Sequence, residues 1–280
     1  MGRLLKDLMK GHLSEEELKK LYGAFDMIGD IAIFKVPEEL EKHKYLIGQK
    51  LLESIKHVKS VWCQVGPVSG EYRIRELEHV AGEKRSLTTY REHGCRFVVD
   101  VTKVYFSPRL SMERLRIAQL VRDGEEVFNM FAGVGTFSVI IAKKRKMVKV
   151  YSSEINPEAY KLMVENVRLN KVEDRVIPLL GDAAEHAEEL KGKVDRVLMP
   201  LPEKAKEFLP KAIKTLKGKG WIHYYTHIHH DKGEDPVEKA KLEVKDMDVK
   251  FGRIVREVGP RLAQVVLDIY VDEIPQGRPS

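Results

Sequence analysis

The sequence predicts a doubly wound α/β domain with a small α+β module ahead of it. Three observations carry this expectation. From Glu125 onward, short apolar runs alternate with helical patterns. A glycine turn, Phe131-Ala-Gly-Val-Gly135, lies between the first apolar run and a helical stretch. Near the C-terminus two strand-like runs are joined by the short turn at Gly259–Pro260. Alternation implies a parallel sheet with right-handed crossovers, and so short a connection implies an antiparallel hairpin added at its end.

The elements follow in order. Ser14 and Glu17 make a capping-box pattern, predicting a charged helix over Ser14–Leu21. Ile28–Val36 predicts a strand, Glu38–Ser54 a helix, and the stretch from Val58 to Val104 several short strands turning at Gly66, Pro67 and Gly70. Ser111–Val121 reads as a helix leading into the sheet. Strands are predicted at Glu125–Met130, Lys149–Ser153, Val176–Leu180, Val194–Met199 and Gly220–Tyr225. Helices are predicted at Thr136–Lys144, Pro157–Asn170, Ala183–Leu190 and Lys204–Leu216. Asn156 and Pro157 supply a cap and a pre-set first turn. A further helix follows Asp235, then the hairpin strands Asp248–Val258 and Gln264–Asp272. The boundary falls near residue 110, giving domains 1–109 and 110–280, with a disordered tail expected over Glu273–Ser280.

Composition narrows the class. The chain has 280 residues, 43% hydrophobic and 33% charged, with no apolar run of membrane-spanning length. The mixed charge of Met1–Lys10 argues against a signal peptide, so a cytoplasmic protein is expected. Two cysteines, Cys63 and Cys95, suggest neither a disulfide framework nor a zinc site. His227, His229, His230 and Asp231 invite a metal, but they are nearly consecutive and no distant Cys or His completes a site, so none is expected. The net charge of +6 is mild for a nucleic-acid binder, so the placement of charge carries that argument.

The glycine turn points to a cofactor. Gly133 and Gly135 let the backbone turn tightly and approach a ligand. Glu154, closing the second strand, is placed to accept both ribose hydroxyls, and Asp182, after Gly181, to accept the adenine amino group. This order in a Rossmann-like sheet is how S-adenosylmethionine is held. A nicotinamide site wants a third glycine for close helix packing beneath a pyrophosphate; Ser138 stands there instead, and Phe131 fronts the loop.

Further residues carry a resemblance. Gly70, Arg73 and Arg75, Ala81-Gly-Glu83, Glu92 with Gly94, and Val99–Asp100 precede Tyr105-Phe-Ser-Pro-Arg-Leu110. Glu113–Arg114, the glycine turn and Ile222-His-Tyr-Tyr225 follow. Together these resemble the archaeal and eukaryotic tRNA (guanine-37-N1)-methyltransferases, in the compact form without an extra N-terminal domain, from about Ile28 to Asp272. The resemblance implies a small RNA-binding domain that completes the active site of an S-adenosylmethionine-dependent methyltransferase domain. It implies methyl transfer to N1 of guanosine 37 in the tRNA anticodon stem-loop by a monomer. It puts Glu113 in the role of base for the N1 proton and Arg73 beside O6, although Arg73 alternates with Arg75 along a predicted strand, where a solvent-facing arginine is the default. It assigns cofactor contacts to Arg114, Met130, Phe131, Gly133, Gly135, Glu154, Ile155, Gly181, Asp182 and Pro200, and RNA contacts to Arg75, Arg109 and Tyr225. Tyr224 and Tyr225 end the fifth predicted strand, where each could stack a splayed base or belong to the core.

Three departures accompany it. Met199-Pro-Leu-Pro202 stands where the family shows Asn-Leu-Pro, so Pro200 brings neither a side-chain amide nor a backbone N–H. Asn129 ends the first strand where Asp is usual, and Thr136 follows Gly135 where Pro is common. Two other readings stay open. One is the related wybutosine-pathway transferase, which moves the 3-amino-3-carboxypropyl group of the same cofactor to a modified base. The other is a non-catalytic RNA-binding protein.

Overall fold

The computed structural model of the chain describes residues 4–272, so the tail expected to be disordered lies outside the described residues. The chain divides into two compact units, Met1–Pro108 and Arg109–Ser280.

The first unit opens with α1 (Leu4–Leu8) and α2 (Glu15–Lys20). The capping box forms: Glu17 N–H donates to Ser14 Oγ at 3.2 Å, and Ser14 N–H to Glu17 Oε2 at 3.0 Å. Where one strand was expected over Ile28–Val36, there are two, β1 (Phe25–Ile28) and β2 (Ile31–Lys35), paired antiparallel. Gly29 makes the turn at φ +57°, where a Cβ would meet the Thr88 hydroxyl and the Thr89 carbonyl. The expected helix over Glu38–Ser54 starts as a 3-10 turn and becomes α3 (Lys44–Ser54). Then come β3 (Ser60–Ser69), β4 (Ile74–Gly82) and the hairpin β5 (Leu87–Glu92) and β6 (Cys95–Asp100). The main sheet has order β1-β2-β3-β4, with β2 and β3 parallel. Its core gathers Leu5, Phe34, Ile47, Leu51 and Val61.

The second unit begins with α4 (Ser111–Leu120). After it, β7 (Glu126–Asn129), α5 (Thr136–Lys144), β8 (Lys149–Glu154), α6 (Pro157–Leu169), β9 (Val176–Leu180), α7 (Ala183–Glu189), β10 (Val194–Met199), α8 (Pro202–Thr215) and β11 (Leu216–His229) alternate as expected. The chain ends in α9 (Pro236–Glu243), β12 (Asp248–Gly259) and β13 (Leu262–Val271). The sheet has seven strands in the order β12-β13-β11-β10-β7-β8-β9. Strands β7 to β11 run parallel, and β13 and β12 close the sheet antiparallel. This is the α/β sheet with a terminal hairpin that the sequence predicts.

Strand β11 corrects one expectation. It runs well beyond Gly220–Tyr225 because β13 pairs with it to the end, His229 opposite Leu262. His227 and His229 therefore sit on a strand and not on a loop. Lys217 is also on β11 and is bonded to Asp195 and Glu126. Register places the carboxyl ends of β7, β8, β9 and β10 side by side, with Asn129 opposite Ser152 and Leu198, and Glu154 opposite Leu180. In an open parallel sheet that edge is where ligands bind.

Candidate active site

The glycine turn leaves β7 at Asn129 and enters α5 at Thr136. Both glycines are left-handed, Gly133 at φ +57° and Gly135 at φ +86°. At Gly135 a Cβ would lie 2.9 Å from Met163 Cγ on α6, so only glycine lets the turn pack there. The turn is fastened to its neighbours. Ala132 N–H donates to the Ser153 carbonyl at 2.8 Å, and Asn166 Nδ2 donates to the Val134 carbonyl at 3.0 Å. Beneath it, buried Asn129 donates to Ser138 Oγ at 3.0 Å, and Ser152 donates to the same oxygen at 2.7 Å. Ser138, the residue that displaces a third glycine, is thus part of the turn's support.

Glu154 meets the turn directly. Its Oε2 accepts Gly133 N–H at 2.7 Å and its Oε1 accepts Asn156 N–H at 2.8 Å. Burial pushes this carboxyl above the usual range, while those backbone donors pull the other way. Each carboxylate oxygen retains lone-pair capacity after one N–H bond. A fixed, half-buried acceptor at a strand end, beside a turn that only glycine can make, fits the ribose of S-adenosylmethionine. The neighbouring strand end agrees in part. Gly181 has φ +138°, and exposed Asp182 caps α7 through Oδ1, which accepts Ala184 N–H at 2.8 Å. Ile155 and Leu180 offer exposed apolar surface at the same edge. Met130 is buried under the turn, and Phe131 packs edge-on against Phe208 with ring centres 5.2 Å apart. Pro200 is half-buried just past β10, and Arg114 is buried on α4.

Glu113 stands on the first turn of α4, only 1% exposed. Arg116, one turn on, donates Nη2 to its Oε1 at 2.7 Å and Nε to its Oε2 at 3.0 Å. Tyr225 on β11 donates its hydroxyl to Oε1 at 2.8 Å, and Arg253 on β12 approaches Oε2 at 3.2 Å. Arg116 also reaches Asp268 on β13, with Nη1 at 2.6 Å and Nη2 at 3.1 Å. Asp268 accepts from His223 Nδ1 at 2.6 Å, and His223 Nε2 faces Arg196 Nη1 at 2.8 Å. An arginine only donates, so Nε2 accepts and the imidazole is the neutral Nδ1–H form. Burial holds His223 below the ordinary histidine range, which agrees. Burial would raise Asp268, but the bonds from His223 and Arg116 outweigh it and hold the carboxyl at about 2. Arg196 completes the chain with a fork to Glu125, at 2.7 and 2.9 Å.

The structure brings expected residues together at two places, Glu154 with Gly133 and Gly181, and Glu113 with Tyr225. Tyr225 is 1% exposed and its hydroxyl is committed to Glu113, so its ring is not presented for base stacking as expected. In the first unit, Arg75 is bound to Asp26 at 3.1 Å and to the Phe106 carbonyl at 3.0 Å, so its guanidinium is an internal tie. Arg73 was expected on a strand beside Arg75. It lies in the turn before β4 at φ +54°, its guanidinium 5.2 Å from the centre of the Tyr105 ring. Arg109 is exposed on the 3-10 turn Pro108–Leu110. Sequence reasoning missed Arg116, Asp268, His223 and Arg253. The spacing of Glu113 and Arg116 on one helix was a readable signal; the strand residues offered none.

Comparison with known proteins adds independent findings. The family model described as TRM5/TYW2 methyltransferase domain matches residues 88–251, and that of the TYW2 N-terminal domain matches residues 5–85. The chain is 42% identical to the tRNA (guanine(37)-N(1))-methyltransferase Trm5b of Pyrococcus abyssi, over 91% of this chain and 77% of that protein. It is 41% identical to the tRNA 4-demethylwyosine(37)-methyltransferase Taw21 of Saccharolobus solfataricus, over 95% of this chain and 99% of that protein. A solved complex of aTrm5 with tRNALeu superposes with a TM-score of 0.84 at 38% identity, covering 95% of this chain and 78% of that one.

Proposed function

The chain belongs to the TRM5/TYW2 methyltransferase family, and on that premise we propose that it methylates N1 of guanosine 37 in tRNA. S-adenosylmethionine is the cofactor; when bound it supplies an electrophilic methyl group on a sulfonium. The observation that carries the reading is Glu113, a buried carboxylate fixed by donors from α4, β11 and β12.

N1 of guanine carries a proton at neutral pH and must lose it to act as a nucleophile. A positioned carboxylate takes such a proton with a typical gain of about two to four orders of magnitude. Oε2 is the available atom, since Arg253, 37% exposed, is the outermost group on the carboxylate and the one that an entering base displaces. Removal of the proton pushes charge toward O6, where the Arg73 guanidinium would neutralise it. Glu154 holds the ribose, and Gly133 and Gly135 shape the turn against the cofactor. Asp182 binds the adenine amino group, beside Ile155 and Gly181. Arg114 takes the cofactor carboxylate, with Met130, Phe131 and Pro200 as apolar walls. Arg109 contacts a phosphate of the anticodon stem-loop. The module 1–109 carries Arg73, and 110–280 carries the cofactor. A cytoplasmic monomer completes this reading.

A second reading is methyl transfer to the modified base 4-demethylwyosine 37. It is favoured by the match to Taw21, which covers 95% of this chain and 99% of that protein. One experiment separates the readings. The protein is incubated with cofactor labelled on the methyl or on the carboxypropyl carbon, and with tRNA bearing guanosine or 4-demethylwyosine at position 37. Methyl label entering guanosine tRNA supports the first reading, and label confined to the modified tRNA supports the second. Carboxypropyl label, or none, excludes both.

A further inference from the structure

Glu113 is one end of a buried chain of polar groups that crosses the second unit. Arg116 bridges two carboxylates with opposite edges of one guanidinium, Glu113 through Nε and Nη2 and Asp268 through Nη1 and Nη2. A planar fork bound on both edges has little freedom to rotate, so it fixes the orientation of what it holds. Asp268 is itself fixed from behind by neutral His223, which is fixed by Arg196 and Glu125. Stability alone does not call for this arrangement. Buried ion networks replaced by apolar groups of similar volume often leave a protein as stable or more so.

We propose that Arg116 is a positioning residue for methyl transfer, holding the Glu113 carboxylate in place, with Asp268 and His223 holding Arg116. The inference rests on Glu113 being the base. Three groups face Glu113 from the elements packed on it: Arg116 from α4, Tyr225 from β11 and Arg253 from β12. Asp268 on β13 and His223 on β11 stand behind Arg116. Arg116 makes the largest number of these contacts and is the only one tied to a second carboxylate.

The test is single-turnover methylation of guanosine-37 tRNA against pH, using the full chain saturated with S-adenosylmethionine, for wild type, Glu113→Gln, Arg116→Gln and Arg116→Lys. Arg116→Gln removes both the cation and the fork, so its plateau rate per active site should fall at least as far as that of Arg116→Lys. Arg116→Lys keeps the charge and loses the fork. Its plateau should fall by about 10–100-fold, with cofactor affinity within about twofold of wild type. A residue with a purely structural role would lower the active fraction and leave the plateau rate per active site unmoved. If Arg116→Gln does not fold, Arg116→Lys decides: a lowered plateau supports the inference and a wild-type plateau overturns it. A near-normal rate in Glu113→Gln removes the base reading and this inference with it. An inactive Glu113→Gln beside wild-type profiles for both Arg116 variants overturns this inference alone.

Discussion

Tyr225 donates its hydroxyl to Glu113 Oε1 across 2.8 Å, from the fifth parallel strand to the helix that precedes the sheet. The ring is buried, and burial together with the Glu113 charge raises the phenol well above its ordinary range, so it stays a donor at every pH the enzyme meets. Tyr225→Phe keeps the packing and removes this hydrogen bond to a charged acceptor. It should cost about 1.5–3 kcal/mol of stability, read by urea unfolding. Affinity for tRNA should hold, because the ring does not face solvent. A large loss of tRNA affinity with unchanged stability would restore the stacking role that the sequence suggested.

The buried pair His223 and Asp268 sets the response to acid. His223 is held below its unfolded value near 6.5, so the unfolded chain takes up the proton first, and stability falls as pH drops below that value. Asp268 is lowered from 3.8 to about 2, so its contribution is present above 3.8 and is lost as pH falls through that interval. Melting temperature should therefore decline in two stages on acidification. His223→Gln has no ring to titrate and should flatten the upper stage, between about pH 7 and pH 5. An unchanged slope there would mean that another group governs it.

Glu154 should be separable from the chemistry. Its oxygens are fixed by Gly133 and Asn156 N–H groups, so Glu154→Ala removes a charge-assisted acceptor and leaves the glycine turn tied to β8 through Ala132 N–H and the Ser153 carbonyl. Cofactor affinity should fall by about 1–3 kcal/mol in calorimetry. Unchanged affinity would take Glu154 out of the cofactor site.

The alternating sheet and the terminal hairpin were legible because each strand is an apolar run bounded by turn chemistry. The glycine turn was legible because left-handed Gly133 and Gly135 leave a mark that only glycine can leave. Glu154 was legible from its place after a strand. The support of Glu113 was not. Asp268 sits inside an apolar strand, and His223 inside the Ile222-His-Tyr-Tyr225 run, so each reads as a stray polar residue until β13 is laid beside β11 with His223 opposite Asp268. The length of β11 was hidden for the same reason: its lysines and histidines are polar, and pairing along β13 overrides their local preference. The roles of Arg73 and Arg75 were obscured by assuming a continuous strand. The turn at Gly70 extends to Arg73, whose N–H bonds to the Gly70 carbonyl at 3.1 Å, so the two side chains do not share a strand face.

Arg73 yields the last prediction. Its left-handed backbone is held by the turn, and its guanidinium lies over Tyr105. A cation placed for O6 interacts weakly with neutral guanine and strongly once the N1 proton has gone, so its contribution is made in the transition state. Arg73→Ala should lower the single-turnover rate by about two to three orders of magnitude, the usual cost of losing a preorganised donor at a developing anion. Equilibrium affinity for tRNA should change only slightly. Arg73→Lys carries charge but lacks the planar fork, and should recover part of the rate. Salt dependence supplies the control. A phosphate contact would weaken tRNA binding and reduce the slope of log affinity against log salt by about one, leaving the rate at saturation unmoved. If Arg73→Ala shows that second pattern, the guanidinium binds the RNA backbone, and the charge at O6 is met by another group.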